Sequence, residues 1–95
     1  QRANVTILNN VIDAVAGEKT VLTYKVEKPG FVTVMVFSLD GDLVRVLQRG
    51  QQAVGSYMLT WDGKNMGGQA VARGMYVVRA VGPDFDESRK VMVVK

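Results

Sequence analysis

Apolar residues recur at every second position in several windows of this chain, and no window of helical length shows a three-to-four spacing bounded by caps. That period predicts extended strands and nearly no helix. Strands are expected near Val5–Leu8, Val21–Val26, Phe31–Ser38, Leu43–Leu47, Ser56–Trp61, Met75–Val81 and Ser88–Val94, all rich in the Val, Thr, Tyr and Phe that suit a pleated, half-buried surface. About seven short strands joined by turn signals imply an all-β fold, an antiparallel β-sandwich.

The turn signals have their own chemistry. Asp40-Gly41 separates FVTVMVFS from LVRVL and reads as a tight hairpin, because a primed turn needs positive φ and glycine supplies it at little steric cost. Pro29-Gly30 breaks the chain before the third strand and Gly82-Pro83-Asp84 before the last. The longest loop runs from Asp62 to Gly74 and holds Asp62-Gly63 and Gly67-Gly68.

Alternation also assigns faces, with polar neighbours deciding direction. Leu22, Tyr24 and Val26 are expected inside, opposite Thr23 and Lys25; Tyr57, Leu59 and Trp61 inside, opposite Ser56 and Thr60; Tyr76, Val78 and Ala80 inside, opposite Arg79. Val32, Val34 and Val36 are assigned to the core of the third strand, and Val91 and Val93 to that of the last.

Ninety-five residues suffice for one core, so residues 1–95 are read as a single domain. The chain begins at Gln1 without a methionine or an apolar signal segment, which suggests a processed product or one domain of a longer polypeptide. No apolar run approaches the roughly 18 residues needed to cross a bilayer, so no membrane insertion is expected. The absence of cysteine excludes a disulfide framework and thiolate metal sites. Net charge is +3, but the basic residues are spread singly with acids interleaved, and no basic stripe carries aromatic spacing, which argues against a nucleic-acid partner.

The segments TVLTYKV, VFSLDGDLVRVL, Gly55 before a strand ending WDGKN, GGQAVARGMYVVRA and RKVMVVK together resemble the immunoglobulin-like domain of the bacterial flagellar hook-capping protein and related C-terminal modules of secreted or surface proteins. The resemblance covers about Thr20 to Lys95. It implies an immunoglobulin-like β-sandwich, an accessory module of a larger extracytoplasmic protein (periplasmic, cell-surface or secreted), and no catalytic residues. Related modules that act as type IX sorting signals usually open with Pro-Asn-Pro, where this chain has Leu8-Asn9-Asn10-Val11-Ile12-Asp13.

Inventory points the same way. With neither His nor Cys, acid–base or nucleophilic chemistry would fall to Asp, Glu, Lys, Tyr or the serines 38, 56 and 88, none in an activating motif, so neither an enzyme nor a cofactor is expected. Asp84, Asp86 and Glu87 crowd a predicted loop and could offer hard oxygen ligands, but they lack a calcium-loop spacing and read more simply as a solvated turn. Trp61 could stack on a sugar, yet it continues an inward series and is expected to fill the core with its indole N–H on a backbone acceptor. Tyr76, just after Gly74, fits the tyrosine corner of immunoglobulin-like sandwiches.

If the third, sixth and seventh strands share a sheet, as such sandwiches arrange them, their outward side chains Phe31, Met35, Phe37, Met75, Val77, Met92 and Val94 form an apolar face. Contiguous apolar surface of that kind marks docking, and methionine suits adaptable contact. The function expected is therefore a noncatalytic structural or interaction module. Its partners would be other domains of the parent protein or an envelope protein, with self-association also open. A carbohydrate-binding module or an export signal is the alternative.

Overall fold

Across residues 5–94, which the computed structural model describes, the chain forms eight strands. They are β1 (Val5–Leu8), β2 (Val11–Ile12), β3 (Thr20–Val26), β4 (Gly30–Ser38), β5 (Leu43–Gln52), β6 (Gly55–Trp61), β7 (Gly74–Gly82) and β8 (Phe85–Val93). Residues 1–4 and 95, the ends of the expected single domain, lie outside the described residues. One sheet has three strands in the order β1-β3-β6, and the other five in the order β2-β8-β7-β4-β5. The two layers make an immunoglobulin-like sandwich, with every pairing antiparallel except β2 with β8.

Three differences from the sequence reading go beyond a one-residue shift of a strand end. The two-residue β2 is an eighth strand, too short to show a period; Ile12 nevertheless goes fully inside, and β2 pairs in parallel with Met92 and Val93. Strand β5 continues to Gln52, and two register shifts opposite β4 interrupt the alternation by which it could be read. Strand β8 begins at Phe85 because Pro83 and Asp84 alone turn the chain, so Gly82 pairs directly with Phe85.

The β4–β5 connection shows how local chemistry closes a hairpin. Gly41 takes φ +92° and donates its N–H to the Ser38 carbonyl at 3.0 Å, while the Ser38 N–H donates to the Asp42 carbonyl at 2.9 Å. A side chain at position 41 would carry the left-handed penalty that glycine avoids.

Between the sheets, Leu22, Tyr24, Val32, Val34, Val36, Trp61, Tyr76, Val78, Ala80, Phe85, Val91 and Val93 form the core. Aromatic pairs anchor both ends. The Trp61 and Tyr76 rings meet edge to face at 5.5 Å, and Tyr24 stacks on Tyr57 at 5.5 Å while also touching Phe85 at 6.2 Å. Tyr57 and Leu59 are only half-buried, because β6 is an edge strand and, among the described residues, no strand pairs with its far side.

Candidate interaction surface

Strand register brings the outward side chains of the five-stranded sheet into rows. Met75 lies opposite Met92, which lies opposite Val11. In the next row Val77 sits between Phe37 and Lys90, and Phe37 faces Leu43. One row further, Met35 sits between Val46 and Arg79. Cross-strand neighbours in such rows are about 4.5–5.5 Å apart, so these side chains form one diagonal apolar band from β2 to β5.

Of the seven residues expected on this face, Met35, Phe37, Met75, Val77 and Met92 share the band. Val94, just past β8, sits at its upper corner with its N–H on the Ile12 carbonyl. Phe31 stands apart: it is 53% exposed and pairs with Gln51, and the row of Thr33, Val81, Arg49 and Asp86 separates it from Met35. Leu43, Val46 and Val11 belong to the band but were not singled out from sequence. The bulged register of β5 and the brevity of β2 hid them; the remaining signal was the apolar content of LVRVL itself.

Polar residues rim the band. Arg79 donates to both carboxylate oxygens of Asp86, at 2.9 and 2.7 Å, and this fork holds the Asp86 carboxyl below its ordinary range. The acids expected to crowd one loop therefore do not. With β8 starting at Phe85, alternation sends Asp86 to the outer face and Glu87 to the inner side, where Arg89 binds it at 2.7 Å, and only Asp84 stays in the turn. Among the described residues no group of acids is placed to hold a metal ion.

The long loop is ordered by its own hydrogen bonds. The Asn65 side-chain carbonyl accepts from the N–H groups of Gly67 and Gln69, and the Trp61 indole donates to the Lys64 carbonyl at 2.9 Å. Trp61 is 1% exposed, so neither ring face is open to a sugar. The Tyr76 hydroxyl donates to the Ala72 carbonyl at 2.7 Å, a tie of the tyrosine-corner kind, and burial raises the pKa of this phenol. Met66 lies along the upper edge of β5: its N–H donates to Val44, and its sulfur accepts from the Val46 N–H at 3.4 Å. A shallow groove lined by Leu43, Val44, Met66, Ala70 and Val71 continues the apolar band under this loop.

The FlgD Ig-like domain family matches residues 9–84, which takes in every strand from β2 to β7. The chain belongs to the FlgD Ig-like domain family. Its fold recurs in the crystal structure of FlgD from P. aeruginosa, with a TM-score of 0.64 and 24% identity over 93% of this chain and 68% of that one. It recurs again in PorZ, an essential bacterial surface component of the type-IX secretion system of Porphyromonas gingivalis, with a TM-score of 0.63 and 16% identity over 96% of this chain. The chain spans 11% of PorZ. Among curated proteins, no sequence matches it.

Proposed function

We propose that this FlgD Ig-like domain is a noncatalytic structural and interaction module of a larger extracytoplasmic bacterial protein, and that the outer face of its five-stranded sheet docks a neighbouring domain of the same polypeptide. The observation that carries the reading is the apolar band Met35, Phe37, Val77, Met75 and Met92, extended by Val46, Leu43 and Val11. A sheet face of an antiparallel sandwich that needs only water on it is normally polar at these alternate positions.

The neighbouring-domain assignment is supported by the longer chains of both structural relatives, FlgD and PorZ, each of which carries mass beyond the part this domain matches. The description of PorZ as a bacterial surface component of a secretion system supports an extracytoplasmic setting. Burial of Trp61 disfavours the sugar-binding alternative, which needs an open aromatic face.

The test is the double substitution Met35→Lys with Val77→Lys, made both in this chain and in the longer polypeptide. The chain alone should keep its circular dichroism spectrum. The longer protein should expand in small-angle scattering and become cleavable between domains. Unchanged shape and unchanged protease resistance in the longer protein, with the domain folded, would refute the docking face.

A further inference from the structure

Natural sandwiches protect the open edges of their sheets, because unpaired backbone groups recruit foreign strands. Three of the edges here carry such protection. Strand β2 is two residues long, and the rest of the β8 edge beside it holds the inward-pointing pair Glu87 and Arg89. Strand β5 has two register shifts and is strapped by Met66. Strand β1 spans four residues, and Arg89 reaches across to its Val5 carbonyl.

Strand β6 has none of these features. It runs seven residues, Gly-Ser-Tyr-Met-Leu-Thr-Trp, without a charge or a proline. Its pairing with β3 keeps a continuous register from Gly55 to Trp61, and among the described residues no strand pairs with its other edge. Met58, in the middle of the strand, lies on the outer face at 67% exposure, while Tyr57 and Leu59 are left half-buried on the inner side.

The residue order decides what fits. Antiparallel pairing of two β6 strands about a two-fold axis through Met58 sets Ser56 opposite Thr60 of the second copy, Met58 opposite Met58, and Tyr57 opposite Leu59. Hydroxyl meets hydroxyl and apolar meets apolar, with no like charges opposed, and such pairs each stabilise a sheet. The half-buried Tyr57 and Leu59 would gain the flank they lack. We infer that β6 is a self-pairing edge, through which two copies of this chain join their three-stranded sheets into one six-stranded sheet with an isologous contact. This edge lies on the opposite layer from the apolar band, so the inference stands apart from the docking face.

The 95-residue chain provides the test directly. Sedimentation equilibrium should show a concentration-dependent dimer. Met58→Lys and Met58→Glu, each placing like charges across the axis, should weaken it at least about tenfold, and an equimolar mixture of the two should recombine. Because the chain has no cysteine, Met58→Cys introduces a lone thiol that should form a disulfide dimer under mild oxidation, whereas Thr6→Cys on β1 should not. The Met35→Lys, Val77→Lys chain should dimerise as the parent does. A monomer at all concentrations, a dimer indifferent to charge at position 58, or equal cross-linking at positions 6 and 58 would overturn the inference.

Discussion

Tyr76 fastens one end of the core twice, by its ring edge against Trp61 and by its hydroxyl on the Ala72 carbonyl. Tyr76→Phe keeps the first contact and removes the second, leaving that carbonyl without its donor. A loss of about 1–2 kcal/mol is expected, read as a lower denaturant midpoint. Trp61→Ala removes far more packing and should cost about 3–5 kcal/mol on the same assay. Burial also raises the phenol pKa of both Tyr24 and Tyr76 above the ordinary 10.0. A raised folded-state pKa means stability that is fully present below about pH 10 and lost as pH rises through the folded value. Unfolding midpoints measured across that alkaline window should fall, and the fall should shrink in Tyr76→Phe.

At the scale of elements, the short β2 acts through the residues beside it. Gly63 is buried at φ +75°, and a Cβ there would stand 2.5 Å from the Cβ of Ala14, two residues beyond β2. Gly63→Ala should therefore cost more than the roughly 1–2 kcal/mol of the left-handed backbone alone, and the near-ultraviolet signal of Trp61 should change with it. Strands with an unbroken period, such as β3 and β4, were legible in the sequence because side-chain direction follows from the local backbone. Strand β5 was legible only in its first half, since a bulge changes which residues face outward and leaves no mark in composition. The acids of β8 were misplaced for a related reason: a turn of two residues, where the sequence reading left six between Val81 and Ser88, begins the strand at Phe85, and that choice alone separates Asp86 from Glu87.

For the whole molecule, the two sheets present different surfaces, one a broad apolar face and the other an open strand edge. Substitutions on them lie on opposite layers and share no partners, so their effects on association should be independent. A chain carrying Met35→Lys, Val77→Lys and Met58→Lys together should lose both interdomain docking and dimerisation, while each set alone removes one. Scattering of the longer protein and sedimentation of the domain separate the two losses.

Sequence alone determined that this chain is extended, where most of it turns, and that a two-layer β-sandwich results; these follow from side-chain alternation and turn residues, which act over a few positions. Tertiary structure decided which strands lie side by side, and with that the continuity of the apolar band, the isolation of Phe31, the fork between Arg79 and Asp86, and the bare flank of β6. Such relations depend on register between segments tens of residues apart, and no local pattern carries that information.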